Sequence, residues 1–293
     1  LLMKRKLAIG TAQFGLDYGL SNKKGKVNIS EVNKVLNFAK ENRLYYLDTS
    51  QNYGNSEVIL GKSKNKNFKI ITKINLTNIK LENESTKNIE KLILKSLKNL
   101  KVKKIYAILL QDANIILMKN GIKIYNALNY LKKRKLISKF GYSIYNFKNL
   151  NNLCTKYKPD LIQCPFNIFD RRLLKNKNLS FLKKKKIEIH VRSIFLQGLL
   201  LSSKNKKIMN KFREFNNLFQ NYNFFLKKNK ISDLEACLSF VSKYKKIDKV
   251  IVGIDSLNQL KKIYDLRLNT SLNFPKYISS SNSKLIDPRN WKR

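Results

Sequence analysis

The sequence is poor in acid. Its 293 residues carry 19 Asp and Glu against 61 Lys and Arg, with a single histidine. Cysteine is scarce as well: Cys154, Cys164 and Cys237 are far apart and odd in number. That spacing excludes a disulfide framework and a zinc cluster. The three thiols are expected to be buried and reduced, as in a cytoplasmic protein. No apolar run reaches the roughly 18–20 residues that a membrane span needs. The opening LLMKRKLAIGTAQFG has a basic patch but no long apolar stretch and no small-residue cleavage site. No secretory signal is therefore expected, and translation is expected to begin at Met3.

The shortage of acid leaves a formal charge of +42. Such a field attracts nucleic acid and anionic membranes. The excess is almost all lysine, however, and it is spread along a chain also rich in Asn and Ile, as codon drift in an AT-rich genome would leave it. No RNA- or DNA-reading motif and no interleaved aromatic–basic array accompanies it. The expectation is non-specific attraction to polyanions and no specific nucleic-acid partner.

What the chain does have is a core and a rhythm. A hydrophobic fraction of 43% supports a globular core, and 293 residues suffice for one large domain or two ordinary ones. Short apolar strands alternate with amphipathic helices. KLAIGTAQF, LYYLD, FKIITKI, KIYAILL, ISKFGYS, PDLIQCPFN, IEIHVRSIF and DKVIVG read as strands. Between them, segments such as SEVNKVLNFAKEN and ESTKNIEKLILKSLKNL place apolar residues at helical spacing. Eight strand–helix units without strict polar alternation fit a closed parallel (β/α)8 TIM barrel, one domain over 1–293, ending in a polar tail over 269–293. An open doubly wound sheet is the competing architecture. It usually shows GxGxxG after the first strand, and here that place reads IGTAQFG.

In such a barrel the chemistry sits at the C-terminal strand ends. Those ends offer Gly10, Thr11 and Gln13, Asp48 with Tyr53 on its loop, Thr72 and Lys73, and Gln111 with Asp112. Further round come Ser143, Gln163 and Asn167, Arg192 and Ser193, and Gly253 with Asp255 and Ser256. A lysine that ends an apolar strand needs an anion to be buried, and Asp48 on the adjacent strand is the partner. A phenol beside that ammonium should have a lowered pKa and could give a proton to a carbonyl oxygen as hydride arrives at its carbon. The plainer reading is a structural Lys73–Asp48 pair with Tyr53 as a loop anchor.

The run LDTSQNYGNSEVILG, with ITK downstream and the LAIGTAQFG opening, resembles the aldo-keto reductase family from about Lys6 to Leu268. The resemblance implies a (β/α)8 barrel that binds a nicotinamide cofactor, usually NADPH, in extended form and without Rossmann glycines. It implies a small-molecule carbonyl substrate, with Tyr53 as proton donor and Lys73 and Asp48 as the pair that tunes it. The family's fourth member, a histidine in LLxH, is replaced by Gln111 in AILLQDAN. An amide orients a carbonyl but does not titrate near neutral pH. Two outcomes follow: a working reductase, or a cofactor-binding barrel with weak or no catalysis. The lone histidine, His190, lies inside a strand and is expected to be a packing residue.

On the cofactor side, the resemblance implies contacts from Gly10, Thr11, Ser143 and Gln163. It adds Arg192, Ser193 and Gly198 in RSIFLQG, and Gly253, Ser256 and Gln259 in the turn VGIDSLNQL. Arg192 stands where many members stack an aromatic on the nicotinamide, and RSIFLQG is similar to a subgroup tied to sugar-derived substrates. The expected cofactor is NADP, on the family's habit, and Asp255 and the missing 2′-phosphate cation leave NAD possible.

Overall fold

The computed structural model describes residues 2–20, 22, 25–63, 67–77 and 85–291. Eight strands close into a barrel in sequence order. They are β1 (Leu7–Gly10), β2 (Tyr46–Asp48), β3 (Lys69–Ile74), β4 (Ile105–Leu110), β5 (Ile137–Ser143), β6 (Leu161–Pro165), β7 (Glu188–Arg192) and β8 (Lys249–Gly253). Every neighbouring pair is parallel, and β8 returns to β1. The open-sheet alternative is excluded by that closure.

Side chains alternate faces along a strand, so residues two apart share one. That rule sorts the molecule into two cores. The larger fills the space between strands and helices: Val32, Val35 and Leu36 of the helix Ile29–Glu41 and Ile89 and Ile93 of the helix Ser85–Leu100 join it. The smaller, Ile71, Ala107, Leu109 and Leu161, is separate and lies inside the barrel. Ile71, Leu109 and Leu161 each sit two positions before Lys73, Gln111 and Gln163. The apolar layer is thus the floor beneath the polar mouth. Below it, His190 is fully buried, with Nε2 2.8 Å from Glu188 Oε1, the packed role expected of it. Cys154, Cys164 and Cys237 are free and buried.

One expectation, the length of the first strand, needs correction. The first strand stops at Gly10, and Ala12–Gly15 is a helical turn. Between β7 and β8 the helical stretch is divided, with Lys206–Asn210 separated from Asn216–Lys228. The polar tail is docked rather than loose. Leu272, Phe274, Ile278, Leu285 and Ile286 are buried, and Trp291 donates Nε1–H to Leu285 O at 3.0 Å. Isolated apolar residues among Ser and Asn gave no periodic signal, which is why the docking was illegible. Among the described residues no helix is long and apolar enough to cross a membrane.

Candidate active site

The spacing of LDTSQNYGNSEVILG has a mechanical reading. Ser56 and Glu57, at the start of the helix Ser56–Lys62, are buried polar anchors. Ser56 Oγ donates to Thr11 O at 2.9 Å, and Thr49 Oγ1 lies 3.1 Å from it. Glu57 accepts from Thr72 Oγ1 at 2.7 Å, Ser96 Oγ at 2.8 Å and Asn99 Nδ2 at 3.2 Å. The loop between is held by backbone contact. Gly54 has φ +55°, and a Cβ there would stand 2.4 Å from Gly15 O. A Cβ on Gly15 would stand 1.9 Å from Tyr53 O. Side chains are excluded from both positions, and the close approach fixes the backbone that presents Tyr53.

The presented groups meet at the mouth. Lys73 Nζ is 2.7 Å from Asp48 Oδ2 and 2.9 Å from Thr49 O. Asp48 and Lys73 are each only 3% exposed. Gln163 Nε2 donates to the other Asp48 oxygen at 2.6 Å. The ammonium lies over the Tyr53 ring, 5.0 Å from its centre. Gln111 Oε1 accepts from Ser50 Oγ at 3.3 Å, which leaves the amide N–H groups as its donors on the cleft.

The expected lowering of the Tyr53 pKa is not what this geometry produces. The phenol is raised well above its ordinary value, first by burial and then by the Asp48 charge, with Arg192 opposing. Burial also lowers Lys73, against the upward pull of Asp48. Tyr18, on the same cleft, is pushed up to about 12 by burial.

The cleft is about 290 Å³ and reaches from Lys73 and Tyr53 to Gly253, Asp255 and Gln259. Gly10, Ser143, Arg192, Ser193 and Gly198 also line it. Thr11 does not serve it: its buried hydroxyl donates to Asp48 O at 3.0 Å. Ser256 is turned to its own helix, capping Gln259 N at 3.3 Å and donating to Asp255 at 3.0 Å. Arg192 packs one face on Tyr145, so only its other face is open to stack on a ligand. Sequence reasoning missed Tyr18, Tyr145 and Arg289. The first two lie in loops and the third in the tail, where no periodicity marks them.

A nicotinamide group fits these residues. Gln163 is fully buried, and its Oε1 has no hydrogen-bond partner. An orphaned amide acceptor suits the N–H of a carboxamide. The Ser143 hydroxyl lines the cleft, whereas Gln163 lies buried behind it, bonded to Asp48.

A closed parallel barrel with an Asp–Lys pair and a phenol at its C-terminal mouth defines a barrel of enzyme type. The aldo/keto reductase family model matches residues 6–274, and the chain belongs to that family. It is thus an oxidoreductase of a family that generally uses nicotinamide cofactors and small carbonyl substrates. Among solved structures, an aldo-keto reductase from Bacillus halodurans in its holo form is similar, with a TM-score of 0.72 and 17% identity over 91% of this chain and 88% of that one. A Pseudomonas aeruginosa protein assigned to the aldo-keto reductases matches with a TM-score of 0.65 and 19% identity over 88% of each chain. No curated protein matches the sequence significantly.

Proposed function

We propose that the chain is a cytoplasmic NAD(P)H-dependent reductase of aldehydes or ketones, with Tyr53 as the proton donor. The observation that carries this reading is the gathering of Tyr53, Lys73, Asp48 and Gln111 on one cleft above an apolar floor. When bound, the cofactor supplies hydride to the carbonyl carbon. Tyr53 then gives its proton to the carbonyl oxygen as charge develops there. A phenol held protonated by burial and by Asp48 is suited to the reductive direction, since the acid form is present throughout the neutral range. Lys73 sits over the phenol ring, where it stabilises the electron density left as the proton departs. Gln111 donates a neutral N–H to the same oxygen and orients it.

Of the two cofactors, the turn that opens the helix Leu257–Asp265 suits NAD better than NADP. Glu31 Oε1 accepts from the Leu257 backbone N–H at 2.7 Å, at the first turn of the helix Leu257–Asp265. Ser256 Oγ takes Gln259 N–H, and Gln259 Oε1 takes Asp255 N–H at 2.9 Å. The N–H groups that would greet a 2′-phosphate are engaged, and two carboxylates stand beside them. Ribose hydroxyls suit those acceptors better than a phosphate dianion.

The test is Tyr53→Phe. It should lower kcat for a small aldehyde by about 10²–10⁴-fold while calorimetry gives unchanged dinucleotide binding. Tight dinucleotide binding without turnover of any carbonyl by the unaltered chain selects the non-catalytic barrel, with Gln111 as the reason.

A further inference from the structure

One wall of the cleft holds more positive charge than the proton-donating set uses. Arg192, ending β7, and Arg289, from the docked tail, both pack on the ring of Tyr145, with guanidinium carbons 4.1 and 3.6 Å from its centre. One face has no room for two planar groups so near the centre, so they lie on opposite faces. Two like charges across one ring repel. Arg289 has an anion, donating from Nε to Asp287 Oδ1 at 2.9 Å and from Nη2 to Oδ2 at 2.6 Å. Arg192 donates only to neutral oxygens, Ile144 O at 3.2 Å and Ser193 Oγ at 3.4 Å, and none of the ion pairs among the described residues includes it. Lys73 is balanced by Asp48, so Arg192 is the cation of this wall without a counter-ion.

A half-buried guanidinium in that position suits a planar oxyanion, which it can grip through two parallel N–H groups. Its field reaches the reacting groups, opposing the rise at Tyr53 and adding to the lowering at Lys73. A side pocket of about 260 Å³, lined by Gln111, Ser143, Tyr145, Asn149 and Arg289, opens against the same wall and leaves room for a second polar end of a ligand. The wall is fixed, because the buried Leu285 and Ile286 anchor the turn that carries Arg289.

We propose that Arg192, braced on Tyr145 against Arg289, forms an oxyanion subsite, and that the substrate is an aldehyde or ketone that also carries a carboxylate or phosphate. The inference rests on the reductase reading above.

The test uses the intact chain with NADH or NADPH and two aldehydes of one shape, 4-carboxybenzaldehyde and its uncharged methyl ester. The charged aldehyde should have kcat/KM higher by about tenfold or more, mostly through KM. The charged-to-neutral ratio should fall toward one in Arg192→Met and be partly restored in Arg192→Lys. Calorimetry with the unreactive 4-(hydroxymethyl)benzoate and its methyl ester should give the same order without turnover. Equal kcat/KM for the two aldehydes in the unaltered chain overturns the subsite and leaves the reductase standing. A ratio unmoved by Arg192→Met, with dinucleotide affinity lost instead, assigns the arginine to the cofactor and also overturns it. Absence of both turnover and dinucleotide binding sinks the reductase reading with it.

Discussion

Replacing Lys73 by Met should destabilise the barrel more than any surface change. The reason is what remains behind. Asp48 and Lys73 are each 3% exposed, and their 2.7 Å contact is the only ion pair at this depth of the mouth among the described residues. Without the ammonium, Asp48 keeps the Gln163 amide on Oδ1 and loses its partner on Oδ2, while Thr49 O loses its donor. Removing one partner of a buried pair costs about 3–5 kcal/mol, because the other charge is stranded. Removing both costs far less. In Asp48→Asn with Lys73→Met, the asparagine oxygen still accepts from Gln163, and the methionine fills the lysine stem's volume. The double variant should be more stable than Lys73→Met alone by about 2 kcal/mol or more. Urea unfolding of the four proteins in the cycle, with m-values compared, measures this directly. A loss below about 1 kcal/mol in Lys73→Met, or a double variant no more stable than the single, would refute the premise that the pair is desolvated.

Two further predictions concern the cofactor and pH. By calorimetry NADH should bind more tightly than NADPH, and Glu31→Gln with Asp255→Asn should narrow the difference by removing both carboxylates from the helix turn. Tighter NADPH binding by the unaltered chain would show that the 2′-phosphate is accommodated despite them. At alkaline pH the fold should weaken. Burial pushes Cys154 and Cys164 from 9.0, and Tyr18 from 10.0, up to about 12. The unfolded chain therefore releases these protons first as pH rises. Stability from these groups is intact below pH 9.0 and is lost as pH climbs toward about 12. Each fully buried thiol contributes a slope of up to about 1.4 kcal/mol per pH unit. A urea midpoint that stays flat from roughly pH 8.5 to 10.5 would contradict this.

The barrel was legible because its strands and helices carry their periods openly. Val32, Val35 and Leu36, or Ile89 and Ile93, state a helical face, and short apolar runs such as KVIVG state a strand buried on both sides. The layer rule then does more than the sequence pattern alone. Once Ile71, Leu109 and Leu161 are placed inside, the residues two positions on must form the polar mouth. The tail was not legible, because Leu285, Ile286 and Trp291 dock through single contacts at irregular spacing. With the tail went Arg289, and with Arg289 one wall of the cleft.

The error at Tyr53 has a different origin. The expectation of a lowered phenol pKa treated Lys73 as an isolated charge. In the structure it is half of a dipole. Asp48 stands 2.7 Å from the ammonium and acts on the phenol in the opposite sense, so burial and the carboxylate together decide the sign. A lysine at the end of an apolar strand is tolerated there only because an aspartate neutralises it, and that aspartate helps hold the proton on the neighbouring phenol. The cation that still acts on Tyr53 is the one without a carboxylate, Arg192. The sign at Tyr53 therefore follows from its burial and from the carboxylate that accompanies the lysine, and not from the nearest cation alone.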